Sequence, residues 1–337
     1  MISYYLPSGS KIGVGYQAHE LANALVDRGH QVDVFSACAP VDGASYGHRW
    51  LQLAGSLQTF RFALALRRVD FSGYDAIHAH GDDYWLWRRR VPVHVRTMHG
   101  TGFEEALRIP GAKEKLRMLL LGLSEVMASL VADVTVAVSP QTRRWMPWVR
   151  RVIPNGVDTD RFYPDPAHGT GVPTVLFVGT WGNRKRGALL AEVFRTDVSP
   201  QVPDAVLEMV CRDAPAHPGP GIRVLGELTD AELVAAYQRA WVFCLPSEYE
   251  GFGIPYAEAM AAGVPVVATP NVGARYVTGD GRWGVLAQAD GLGAALRRVL
   301  TDVDERAALA RRSIERSRSF ALSGVLDAYE RIYRTGR

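Results

Sequence analysis

Residues 247–260 read SEYEGFGIPYAEAM, which sets two carboxylates, Glu250 and Glu258, eight positions apart with two glycines and a proline between them. Gly251 and Gly253 let a backbone come close to a ligand. Pro255 suits the first turn of a helix, and Glu258 would then lie about one turn in. Free N–H groups at a helix start attract an anion, and carboxylates accept hydrogen bonds from vicinal hydroxyls. Together these groups suit a sugar nucleotide: N–H groups for the diphosphate, carboxylates for the sugar or ribose. The plain alternative is a glycine-rich turn with two solvated acids.

The other residue types that could carry chemistry say less. His99 follows the strand-like run Val93–Met98, which fits either a cleft or a core position. His78 and His80 form an H-x-H pair that could chelate a metal, but no third ligand is visible and a structural role is the better reading. Cys38, Cys211 and Cys244 are far apart, with no zinc or disulfide spacing, as in a reducing cytoplasm.

Elements of α/β type must position these residues. A chain of 337 residues exceeds the roughly 250–300 at which one core stops growing, so two domains are expected. Short β-branched runs alternate with helix-period segments, the signature of parallel sheets covered by helices. The strands expected in the first half are Ile2–Leu6, Gln31–Ser36, Asp75–Ala79, Val93–Met98, Asp133–Val138 and Arg151–Ile153. A helix carrying Ala18, Leu21, Ala22, Leu25 and Val26 stops at Gly29, and a long helix is expected from Lys113 to about Val131. IPNGVDTDRFYP at 153–164 is turn chemistry and serves as the domain link. Strands then resume at Thr174–Val178, Val206–Val210, Ile222–Leu225, Trp241–Leu245 and Val264–Ala268. The expected domains are therefore 1–153 and 154–320.

A net charge of +3 is too small for a nucleic-acid footprint, so no nucleic acid is expected as a partner. Its distribution is uneven: residues 1–155 carry 18 Lys and Arg against 13 Asp and Glu, and residues 156–337 carry 20 against 22. No signal peptide or spanning segment is visible, so a cytoplasmic chain is expected, peripheral at the inner membrane face if its basic half meets lipid.

The run from Glu250 to Glu258, continuing into EAMAAGVPVVAT, resembles the E-x7-E signature of retaining GT-B glycosyltransferases of family 4. Agreement in order and spacing extends to GVGYQAHELANALVDRGHQVDVF at 13–35, DAIHAH at 75–80, TMHG at 97–100, VTVAVSP at 134–140, VIPNGVD at 152–158, FVGTWGNRKRG at 177–187 and LPSEYEGFG at 245–253. The resemblance implies a GT-B fold, with two Rossmann-like doubly wound domains facing across a cleft, the nucleotide sugar mainly on the second and the acceptor on the first. It also implies that the last helix, Ser323–Arg334, returns to the first domain, which then takes in residues from about 321 to 337.

Site roles follow from that resemblance position by position. Glu250 would lie near the donor sugar and Glu258 would hold the ribose, while Gly251, Phe252, Gly253 and Ile254 offer backbone N–H groups. His99 would sit beside the transferred sugar. Gly13 matches the second glycine of a phosphate-side pair whose first member is Ile12 here, with Gly15 read as restoring flexibility. The family's usual Gly-Arg is Gly179-Thr180, so a phosphate cation must come from Arg184, Lys185 or Arg186, and the register leaves Lys185 and Arg186 open. Leu225 and Gly226 would meet the base through the backbone. The implied donor is of the UDP or GDP type, with no cofactor and no metal.

Acceptor features are sparser. Trp85, Trp87 and Arg88–Arg90 form an aromatic and basic cluster, and Lys113, Lys115 and Arg117 precede the apolar run Met118–Leu123. They are either a solvated basic face over core leucines or a membrane-facing surface serving a lipid-linked acceptor. A glycan, glycolipid or small molecule is the expected acceptor. A nucleotide-sugar 2-epimerase of the same fold and a non-catalytic sugar-nucleotide binder are the rival readings.

Overall fold

The computed structural model describes the chain except for residues 10–12, 54, 56, 88–90, 108–110, 170 and 337, so Ile12 and Arg88–Arg90 lie outside the described residues. Two compact units emerge: Met1–Gly156 with Ser323–Arg337, and Val157–Leu322.

Unit 1 contains helix α1 (Gly13–Asp27), strands β1 (Asp33–Ser36) and β2 (Gly47–Trp50), helix α2 (Gln58–Leu66), strands β3 (Ala76–Ala79) and β4 (Val93–Met98), helices α3 (Gly102–Ala106) and α4 (Ala112–Val131), strands β5 (Val134–Ala137) and β6 (Arg151–Val152). The last helix of the chain spans Leu322–Thr335. Strands β3 to β6 form one parallel sheet in sequence order, and β1 and β2 form a parallel pair. The expected strand Ile2–Leu6 is reduced to a bridging residue: Ile2 pairs in parallel with both Phe35 and Ala79, joining the pair to the larger sheet. Strand β2 and helix α2 are absent from the sequence reading. GHRW is polar and solvent-facing, so it has no apolar alternation to reveal it.

Unit 2 contains β7 (Thr174–Val178), α5 (Gly187–Val193), β8 (Val206–Val210), β9 (Ile222–Val224), α6 (Asp230–Arg239), β10 (Val242–Leu245), α7 (Ile254–Ala261), β11 (Val266–Ala268), α8 (Val272–Thr278), β12 (Val285–Leu286), α9 (Leu292–Thr301) and α10 (Val303–Ser317). Its strands form one sheet in the order β12-β11-β10-β7-β8-β9, all parallel. Central strands covered on both faces read as continuous apolar runs, and Val242–Leu245 and Val175–Phe177 are all fully buried. The chain leaves β7 toward β8 and β9 on one side and returns with β10 on the other, so order reverses between β7 and β10. Such a switch point opens a crevice at the carboxyl ends of its two strands.

Candidate active site

The loops that follow β7 and β10 meet at that switch point. After β10, Ser247 is fully buried, and its carbonyl accepts from Thr269 Oγ1 at 2.7 Å and from Asn271 Nδ2 at 2.9 Å. Its hydroxyl donates to Glu250 Oε1 at 2.8 Å. Glu250 is only 6% exposed, and its carbonyl accepts from Gly273 N at 2.8 Å. That contact needs a glycine, because a Cβ on residue 273 would stand 2.4 Å from the Phe252 carbonyl oxygen. Gly253 turns the chain into α7 with a φ of +88°, and a Cβ there would also strike the Tyr256 ring.

The loop after β7 delivers the cations. Asp213 accepts from Trp181 N at 2.8 Å and Gly182 N at 3.4 Å, which shapes the loop, and Asn183 and Arg186 both adopt left-handed backbone at φ 54° and 57°. Lys185 Nζ lies 2.7 Å and Arg184 Nη1 3.0 Å from Glu250 Oε1. Arg184 also donates to the Tyr249 carbonyl at 2.7 Å. Burial resists ionisation of Glu250, but Lys185 and Arg184 outweigh it and hold the carboxyl below its ordinary value. Arg186 turns elsewhere, with Nε 3.6 Å from Glu248. Where the register left Lys185 and Arg186 open, the structure gathers Lys185 and Arg184 at Glu250 and leaves Arg186 outside.

Glu258 stands on α7, half-buried, and accepts from the Tyr237 hydroxyl at 2.8 Å. Tyr237 is fully buried on α6, whose start is secured by a capping box between Thr229 and Glu232. An aromatic in an amphipathic helix reads as core, so this partner was invisible in the sequence. Leu225 follows β9 and donates to the Met209 carbonyl at 2.8 Å, and Gly226 takes a φ of +68°. Gly251, Phe252 and Ile254 lie between the two glutamates at the entry to α7.

In unit 1, the residues after β3 and β4 form a second polar group. His99 Nε2 lies 2.9 Å from His80 Nδ1, and the rings stack with centroids 5.2 Å apart. His80 stacks in turn on His78 at 4.5 Å. His78 Nδ1 meets the Tyr333 hydroxyl at 2.6 Å and its Nε2 meets Thr97 Oγ1 at 2.7 Å, while Thr97 Oγ1 also lies 2.7 Å from the Tyr329 hydroxyl. The last helix thus holds the inner histidine of the stack. Burial, with Arg96 adding to it, lowers His99 to about 4, and burial takes His78 and His80 well below the ordinary imidazole value. All three are neutral at pH 7. Among the described residues no group of three or more His, Cys, Asp or Glu side chains is arranged to hold a metal ion.

Two carboxyls that the sequence reading missed stand nearby in unit 1. Asp82 has left-handed backbone at φ 60° just after Gly81. Burial, opposed by Arg96 and reinforced by Glu125, pushes Asp82 up to about 7. Glu125 accepts from Gly102 N at 2.9 Å and is pushed to about 7, again by burial. Arg96 is itself buried and paired with Asp83. Only the G-D turn after HAH could have signalled Asp82. The structure also corrects the role expected for Gly15: it lies within α1, where a Cβ would stand 3.0 Å from the Leu6 backbone, so it serves close packing rather than loop flexibility. Gly13 is the first residue of that helix.

The family model described as Glycosyltransferase Family 4 matches residues 12–161, and the one described as Glycosyl transferases group 1 matches residues 172–302. The chain is 29% identical to phosphatidyl-myo-inositol mannosyltransferase of Mycolicibacterium smegmatis, over 99% of this chain and 93% of that protein. It is 30% identical to D-inositol 3-phosphate glycosyltransferase of Xylanimonas cellulosilytica, over 96% of this chain and 92% of that protein. The sucrose-phosphate synthase structure from Thermosynechococcus elongatus superposes with a TM-score of 0.82 at 22% identity, covering 99% of this chain and 97% of that one. The two doubly wound units are those of the GT-B fold, and the chain belongs to glycosyltransferase family 4.

Proposed function

We propose that this glycosyltransferase takes a sugar from a nucleotide diphosphate donor, of the UDP or GDP type, and transfers it with retention of anomeric configuration and without a metal or other cofactor. The observation that supports this reading most is the convergence of Lys185 and Arg184 on the buried Glu250 at the switch point of unit 2. Such cations can stabilise the charge that grows on a departing diphosphate. Glu250, acceptor-only while ionised, would orient hydroxyls of the donor sugar, and Glu258 would hold the ribose. His99, neutral and fixed by His80, would donate or accept one hydrogen bond to the transferred sugar.

In the step itself the bond from the anomeric carbon to the phosphate oxygen breaks as the acceptor oxygen bonds to the same face. The acceptor proton passes to the leaving phosphate oxygen. The acceptor is a hydroxyl of a glycan, glycolipid or small molecule. The inositol compounds in the relatives' names are the first acceptors to test, in a cytoplasmic enzyme whose unit 1 makes peripheral contact with the inner face of a membrane.

A thermal-shift panel of UDP-, GDP-, ADP- and dTDP-sugars tests the donor assignment, since a ligand that binds only the folded state raises the melting temperature. Product NMR then reads the anomeric configuration. Activity should survive EDTA, and a strict requirement for added metal would overturn the mechanism. Conversion of the donor with no acceptor present would instead indicate an epimerase.

A further inference from the structure

Helix α4 carries two opposed faces. Its inner face is buried through Met118, Gly122, Ala128 and Ser129. The outer face presents Leu116, Leu119, Leu120, Leu123, Met127 and Leu130, a continuous stripe at helical spacing, each 39–68% exposed. Of the apolar run Met118–Leu123, Leu119, Leu120 and Leu123 therefore lie on the surface rather than in the core. Over 15 residues the stripe runs about 20 Å.

Its borders are aromatic and carry more basic than acidic side chains, the Trp145 indole donating to Glu104 Oε2 at 2.9 Å. The Trp148 indole donates to Ser129 Oγ at 3.0 Å, so the ring lies against α4, and Trp145 packs on Phe103, whose ring covers Gly122. Both tryptophans are exposed. Lys113 and Lys115 fall on opposite edges of the stripe near its start, and Arg117 is exposed beside them, paired with Glu114 at 2.7 Å. From residue 134 to 157 the chain has Arg143, Arg144, Arg150 and Arg151 and no carboxylate.

We infer that this face docks on an anionic lipid bilayer, with the leucine stripe and both tryptophans entering the headgroup boundary and the cations meeting lipid phosphates. Half-exposed indoles and apolar side chains edged by lysine are the composition of helices that lie in a membrane interface. The cations complement an anionic surface. A second copy of the chain laid on the same stripe would instead bring like charges together. The inference rests on the peripheral contact included in the proposed function and names the surface that makes it.

Flotation of the full chain with phosphatidylcholine vesicles, with or without phosphatidylglycerol, tests it. The wild-type chain should float with the anionic vesicles and lose most of that binding in high salt or on phosphatidylcholine alone. Leu120→Ser with Leu123→Ser, and separately Lys113→Glu with Lys115→Glu, should each lower the bound fraction at least tenfold. These positions are exposed, and an unchanged thermal midpoint verifies the fold. The proposal is overturned if the wild-type chain does not float, if both variants float as well as wild type, or if the leucine variant abolishes a dimer in solution with vesicle binding unchanged. Donor thermal shifts are read on the same samples. Leucine-dependent flotation with no response to any nucleotide sugar would retain this surface and remove the transferase reading.

Discussion

At Glu250 a nearly buried carboxyl stays ionised because Lys185 and Arg184 stand within 3.0 Å, whereas in unit 1 burial brings Asp82 and Glu125 to about 7 and leaves three stacked histidines neutral. Both groups sit at the carboxyl ends of parallel strands. What differs is whether burial is compensated. Compensated charge is suited to a polyanionic ligand such as a diphosphate. Uncompensated burial yields neutral donors and acceptors, which suit hydroxyl groups.

The largest expected effect that could break this contrast is at Lys185. Lys185→Ala should lower turnover by about 10²-fold, while Arg186→Ala, which loses a 3.6 Å contact with exposed Glu248, should cost no more than an exposed pair does, under about 1 kcal/mol. Steady-state kinetics would check both, and equal losses would mean that convergence on Glu250 does not select the phosphate cation. Next, Glu258→Ala should raise the donor dissociation constant by ~1–3 kcal/mol; calorimetry showing unchanged affinity would remove the ribose role.

Asp82 sharpens the comparison through pH. The folded chain keeps its proton up to about pH 7, while the ordinary carboxyl releases it near 3.8, so this group makes stability fall as pH rises between those values. Asp82→Asn should therefore gain roughly 3–4 kcal/mol at pH about 8 and nothing near pH 4, read by denaturant unfolding. His99, lowered to about 4, has the opposite sign and loses stability as pH falls below its ordinary 6.5. A small effect, confined to stability, is expected for Tyr329→Phe. Losing its contact with Thr97 should cost about 1 kcal/mol of stability and leave donor affinity as it was.

The strands and long helices of both units were legible because parallel strands are written as apolar runs and helices as periodic stripes, as at Val242–Leu245 and Ala112–Val131. Short polar elements such as β2 and the two-residue β12 leave no such mark. Within the site, Glu250, Glu258 and the Arg184–Arg186 run stood out as types in a local pattern. Tyr237, Asp213, Asp82 and Glu125 did not, because each acts on a group far away in sequence or takes its character from burial.

The sequence by itself determined the α/β alternation, the order of the motifs and the family they resemble, since these depend on local periodicity and spacing. Only tertiary structure decided which cation turns to Glu250, that Asp82 and Glu125 hold protons near neutrality, and that the leucines of α4 face solvent. Direction and desolvation arise where distant segments pack, and a linear pattern does not record which face of a periodic helix its neighbours cover.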